Sequence, residues 1–146
     1  MTELCVDASL AAKMALKNER LRSYASQLFA DSAAAGGELI APPIFVSEVD
    51  SIVCRREFSA ELNSAEALTA FQRLDDLDIS IIDLPGVRKR AREITREYGQ
   101  ERVYDSTYAA LAEIRGCDFW TADHAFYKSV KDNLLFVHYL AEYPLP

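Results

Sequence analysis

Four acidic residues fall where short apolar runs give way to helical patterns. Asp7 directly follows the run Leu4-Cys5-Val6, and Asp123 lies two residues after Phe119-Trp120-Thr121. Asp105 opens an alanine-rich stretch, and Glu48 falls in the first turns after Pro42-Pro43. Carboxylates brought together repel one another and need a cation between them. A ligand set of oxygens alone, without histidine or thiolate, suits Mg²⁺ or Mn²⁺ rather than zinc. Mg²⁺ takes one or two carboxylates and completes its shell with waters and substrate phosphate oxygens. The chemistry implied is phosphoryl transfer or phosphodiester hydrolysis.

Those acids must be positioned by a chain that alternates strand and helix. Residues 4–6, 38–41, 79–82, 119–121 and 134–137 read as short apolar or β-branched strands. Helical patterns occupy 9–17, 21–35, 44–58, 64–77, 87–98, 105–115 and 123–130. Gly36-Gly37 stops the second of these, Pro42-Pro43 opens the third, and Gly116 ends the run that starts at Asp105. The alternation predicts a central parallel sheet covered by helices on both faces, a three-layer α/β sandwich. In such a sheet the carboxyl end of each strand and the amino end of the next helix share one edge, where ligands bind. Asp7, Glu48, Asp105 and Asp123 therefore converge on one rim. Taken singly, each aspartate reads equally well as a helix N-cap. Glu48 shares a helical face with Ile44 and Ile52. It is either a solvated flank or, since a glutamate is seldom buried unless paired or coordinating, a ligand.

Composition narrows the function classes. The 146 residues carry 23 acidic and 16 basic side chains, a net charge of −7, which disfavours a protein held to nucleic acid or membrane by overall charge alone. With 50% hydrophobic and 27% charged residues and no repeat, the chain reads as one folded domain, 1–146. Cys5, Cys54 and Cys117 form no CxxC pair and leave an odd thiol, which points to a reducing, cytoplasmic location. No signal peptide and no membrane span are predicted, since no apolar run approaches ~18 residues. One stretch departs from the acidic balance. Residues 88–102 set Arg88, Lys89, Arg90, Arg92, Arg96 and Arg102 against three glutamates. This segment reads either as a phosphate track leading to Asp105 or as a solvated helix with internal Glu–Arg pairs. Tyr98 and Tyr104 are base-stacking candidates or packing residues.

The segments VDASLAAKMAL, PPIFVSEV and YDSTYAALAEIRGCDFWTAD, with the closing Phe136-Val137, together resemble a PIN domain. More narrowly, they resemble the VapC-type ribonuclease toxins of prokaryotic toxin–antitoxin pairs, over residues 6–137. The resemblance implies a five-stranded parallel sheet in the order 3-2-1-4-5. It also implies a Mg²⁺- or Mn²⁺-dependent endoribonuclease that leaves a 5′-phosphate and a 3′-hydroxyl. The family's acidic quartet falls on Asp7, Glu48, Asp105 and Asp123. Asp7, Asp105 and Asp123 would be metal ligands, and Glu48 would hold a metal-bound water or a second cation. Ser9 and Thr121 would orient the carboxylates or the metal's waters. Ser51 departs from the pattern, because many members carry asparagine three residues after the helix glutamate. The implied partners are RNA, a cognate antitoxin and a second copy of the chain, paired through the C-terminal half. The antitoxin would lie across the helices bearing Leu21, Tyr24, Leu28, Phe29, Ile44, Phe45, Val49, Ile52 and Val53, and would place a basic side chain in the acidic pocket. A receiver domain or a haloacid-dehalogenase-type phosphatase fits less well: Ser9 stands where the latter needs a second acid, and no lysine follows the closing strand. A housekeeping RNA-processing nuclease and a non-catalytic interaction module of the same fold remain the alternatives.

Overall fold

Strands form where apolar residues alternate between two buried faces, and the chain supplies five such segments. A computed structural model describes residues 2–146. Its elements run β1 (Glu3–Val6), α1 (Ala8–Ala15), α2 (Arg22–Ala34), β2 (Glu38–Ala41), α3 (Ile44–Phe58), α4 (Ser64–Asp75), β3 (Ile79–Ile81), α5 (Val87–Glu97), α6 (Tyr104–Arg115), β4 (Asp118–Thr121), α7 (His124–Val130) and β5 (Val137–Tyr139), closed by a 3₁₀ turn at Leu140–Glu142. All strand pairs are parallel, in the order β3-β2-β1-β4-β5. This is the expected three-layer α/β sandwich. Because β1 lies between β2 and β4, Cys5 pairs in register with Ile40 on one side and Phe119 on the other.

The two sheet faces bury unequal cores. Cys5, Ile40, Phe119 and Val137 point into the larger one, with α1, α3, α4, α5, α6 and α7. Val6 and Leu39 point the other way, into a smaller core with Leu10 of α1, Ala25 and Leu28 of α2, and Leu140. Parallel sheets need cover on both faces, and α1 sits at the boundary and feeds both cores. The apolar excess expected on α2 and α3 is used within the chain. Leu28, Phe45, Val49 and Val53 are buried, while Leu21, Tyr24, Phe29, Ile44 and Ile52 pack half-buried against the two cores. The large apolar side chains that α3 does expose are Val46 and Phe58.

The closing strand lies three residues beyond its expected start at 134. The Leu134 N–H donates to the Val130 carbonyl and the Val137 N–H to the Leu134 carbonyl, so the chain winds through turns before it extends. Leu134 plugs the larger core while Leu135 is 75% exposed. Aromatic packing holds β5 in place: Trp120 stacks on His138 at 4.8 Å between centroids, and Tyr127 on Tyr139 at 5.8 Å.

At the amino ends of the strands, Glu3, Glu38 and Asp118 are partnered. Glu3 accepts two hydrogen bonds from the Arg115 guanidinium, one of them 3.0 Å from Nε. Glu38 accepts from the Ser80 hydroxyl, and His138 Nε2 lies 3.1 Å from Asp118 Oδ1. Among the described residues, no helix is long and apolar enough to cross a membrane.

Candidate active site

At the carboxyl ends of the strands, a cavity of about 660 Å³ is lined by Asp7, Glu48, Asp105 and Asp123, together with Ser9, Ser51, Arg55, Arg102, Tyr104 and Tyr108. The four acids come from the end of β1, the second turn of α3, the first turn of α6 and the loop after β4. Asp7 and Asp123 do cap the helices that follow them. Asp7 Oδ1 accepts from the Leu10 N–H at 2.9 Å, and Asp123 Oδ1 from the Phe126 N–H at 3.0 Å. Capping and lining the cavity are therefore one arrangement here, since the cap fixes the rotamer that faces the cavity. Asp105 caps nothing. It lies inside the first turn of α6, whose N-cap Val103 makes no side-chain cap bond.

Hydroxyl groups fix the carboxylates. Asp7 accepts from the Ser9 hydroxyl at 3.1 Å through Oδ1 and from the Thr121 hydroxyl through Oδ2. Thr121 in turn accepts from the Asp123 N–H at 2.9 Å, which ties the two neighbouring strand ends together. Glu48 Oε1 accepts from the Tyr108 hydroxyl at 2.7 Å. The Tyr108 ring is buried and stacks on Phe119 with planes 9° apart, so the hydroxyl is held by the core itself.

Burial dominates the electrostatics. Asp7 is 3% exposed, and burial pushes its carboxyl up to about 6 against the opposing pull of Thr121, Leu10 and Ser9. Asp105 is pushed up further, to about 9. Burial is the largest cause, followed by the neighbouring Asp123 carboxyl and the charges of Asp7 and Glu48. Asp123 moves the other way. Burial opposes its ionisation, but the neighbouring Asp105 carboxyl and the N–H groups of Phe126 and Ala125 outweigh it. Burial also raises Glu48, against Tyr108 and the nearby Arg55. Burial and the Glu48 carboxylate push the Tyr108 hydroxyl far up, so it remains a donor.

Among the described residues, no three His, Cys, Asp or Glu side chains stand grouped so as to hold a metal ion as placed. The donor chemistry fits a hard cation nonetheless. The cavity offers four carboxylates and no imidazole or thiolate, and none of the four takes part in an ion pair among the described residues.

The basic stretch divides. Arg102 lines the acid cavity, whereas Arg88 and Arg92 line a separate hollow beside Pro42 and Pro85. Lys89 and Arg96 are exposed on α5, and Arg90 binds Glu113 at 2.6 Å. Tyr104 lines the acid cavity, while Tyr98 packs half-buried on the core. Sequence reasoning passed over Tyr108 and Arg55. Their signal is helical spacing: Tyr108 lies one turn after Asp105, and Arg55 two turns after Glu48.

A family model for the PIN domain matches residues 4–131. No curated protein sequence matches the chain significantly. Among solved structures, PAE2754 from Pyrobaculum aerophilum superposes with a TM-score of 0.67 at 16% identity, over 96% of this chain and 92% of its own. VapC20 from Mycobacterium tuberculosis, a toxin that cleaves the sarcin-ricin loop, gives a TM-score of 0.63 at 17% identity, over 86% of this chain and 94% of its own. FitAcB from Neisseria gonorrhoeae gives 0.60 at 15% identity, over 88% and 93%.

Proposed function

Because the chain belongs to the PIN domain family, we propose that it is a Mg²⁺- or Mn²⁺-dependent endoribonuclease and the toxin of a toxin–antitoxin pair. The observation that carries this reading is the convergence of Asp7, Glu48, Asp105 and Asp123 on one cavity with no cation paired to any of them. Asp7, Asp105 and Asp123 would hold the metal, which when bound supplies charge to stabilise the scissile phosphate and acidifies a water. The chain's own residues do the positioning. Ser9 and Thr121 fix both oxygens of Asp7, so its remaining lone pairs point in a set direction. Tyr108 occupies Glu48 Oε1, which leaves Oε2 to orient an attacking water and take its proton. Arg102 stands at the rim of the cavity to hold a substrate phosphate, and Arg88, Lys89, Arg92 and Arg96 extend the positive field along α5.

The toxin assignment draws support from the likeness to VapC20, a toxin by name. It entails a cognate antitoxin whose basic side chain enters the acid cavity, a cytoplasmic location suited to three free thiols, and a homodimer paired through the C-terminal half. The test is direct. Purified protein should cut RNA with Mg²⁺ or Mn²⁺, stop with EDTA, and be silenced by the product of the adjacent reading frame. EDTA-resistant cleavage would overturn the metal reading. Cleavage by a protein whose expression leaves growth untouched would favour the housekeeping nuclease instead.

A further inference from the structure

Beside the acid cavity lies a second hollow, of about 600 Å³, which shares Ser9, Ile52 and Arg55 with it. It follows the seam between α1 and α3, with Lys13 on one wall and Phe58 at the far end. Its three cations are not equivalent. Arg56 is neutralised by Glu19 at 2.7 Å and Glu61 at 3.3 Å. Lys13 and Arg55 appear in none of the ion pairs among the described residues. The lining sets three cations against two acids, a local positive balance that is an exception in a chain of net charge −7.

Phe58 is the second exception. It is 94% exposed, while the other six phenylalanines are buried or half-buried. A helix places residues three apart on one side, so Ile52, Arg55 and Phe58 form a stripe leading away from Glu48. Ten residues at 1.5 Å each put Phe58 about 15 Å along the axis from Glu48. Cations flanking an open aromatic face, on a path continuous with an acid-lined cavity, match what a single nucleic-acid strand requires. Its phosphates seek charge, and its unstacked bases seek a ring. The walls mix Ala12, Ile52 and Phe58 with Ser9, Ser59 and five charged side chains, more charge than a groove for an apolar peptide carries.

We infer that this hollow is a subsite for the RNA strand flanking the cleaved bond, with Arg55 and Lys13 holding backbone phosphates and Phe58 stacking a base. The inference rests on the nuclease reading above and names where its substrate runs. It is tested by binding of a fluorescent single-stranded RNA oligonucleotide across a salt series, in an Asp105→Asn background that leaves the RNA intact. Phe58→Ala should weaken binding roughly 5- to 100-fold at fixed salt, and Phe58→Trp should restore it. Arg55→Ala and Lys13→Ala should each reduce the slope of log affinity against log salt by about 0.7. Leu135→Ala, an exposed apolar residue outside both hollows, should change neither. RNA carrying 4-thiouridine should crosslink to the peptide containing Phe58. Unchanged affinity and slope in all three variants would overturn the subsite, as would crosslinks confined to α5. So would a Phe58→Ala protein that binds RNA normally but loses a protein partner, which would mark the hollow as a protein-docking site. The two readings fail separately. If the intact protein cuts no RNA with any divalent metal while binding still follows Phe58, the nuclease reading falls and the subsite stands. If all three variants, with Asp105 intact, cut like the parent, the subsite falls and the nuclease stands.

Discussion

The two ends of the sheet treat the same kind of residue in opposite ways. At the amino end, Glu3 and Glu38 are register partners on neighbouring strands, and each is satisfied: Glu3 by Arg115, Glu38 by Ser80. The Arg115 guanidinium holds the Glu3 carboxyl below its ordinary value. At the carboxyl end, Asp7 and Asp105 are pushed up, chiefly by burial, and no cation is paired with them. Both ends carry acids, so what differs is that the amino end supplies each with a partner while the carboxyl end buries them without an ion pair. A cluster left uncompensated weakens the folded state, and such clusters mark sites that work on something brought from outside.

The largest contrast should appear in catalysis. Asp7→Asn or Asp105→Asn should lower RNA cleavage on the order of a thousandfold or more, because several kcal/mol of charge stabilisation is lost. Glu3→Gln should leave the rate within a factor of two or so, as a change at the partnered end with no reach to the cavity. A Glu3→Gln protein as inactive as Asp105→Asn would erase the distinction between the ends.

Stability against pH sharpens the comparison next. Asp7 rises from an ordinary 3.8 to about 6 in the folded protein, so the folded state binds the extra proton and is favoured while that proton stays on. Its contribution is complete below about pH 4 and is lost as pH rises through about 6, a change of about 3 kcal/mol. Asp105 moves in the same direction and extends the loss to higher pH. Glu3 has the opposite sign, with stability lost only as pH falls below the ordinary carboxylate range, so it does not mask the effect. In EDTA the protein should melt at higher temperature at pH 5 than at pH 8, and Asp7→Asn should raise Tm at pH 8. Added Mn²⁺ should narrow the gap. A metal-free Tm that is flat or rising from pH 5 to 8 would contradict the account.

Two smaller effects follow. Tyr108→Phe keeps the buried ring and removes only the hydroxyl that fixes Glu48, so cleavage should fall roughly tenfold with the fold intact. A rate equal to the parent's would show that Glu48 needs no anchor. Arg115→Ala, at an exposed ion pair of the partnered end, should move Tm by no more than about 4 °C and leave cleavage alone.

Much of this was legible from residue types and periodicity, because the acids sit at element boundaries and boundaries are what glycine, proline and apolar runs mark. Asp7 and Asp123 are found that way, each directly at the start of a helix. The β5 register was not legible. An apolar run at 134–137 looks like a strand, but Leu134 is claimed by the core and Leu135 by solvent, while His138 and Tyr139 extend because Trp120 and Tyr127 receive their rings. Tyr108 was hidden for a related reason. A tyrosine in an alanine-rich helix reads as core, and its ring is core; only its hydroxyl reaches Glu48. The seam holding Arg55, Lys13 and Phe58 joins two helices, and no local pattern reports which cations there lack a partner.

The strand order also has a consequence in time. β1 is made first, yet its neighbour β4 is separated from it by more than a hundred residues, so a growing chain holds Asp7 long before Asp123 exists. At roughly 5–20 residues per second, that interval is on the order of ten seconds of synthesis. Until β4 docks, Asp7 lacks the Thr121 hydroxyl that fixes it and Asp105 lacks the neighbouring Asp123. The acid cluster is thus assembled only once the sheet's longest-range pairing, β1 with β4, has formed.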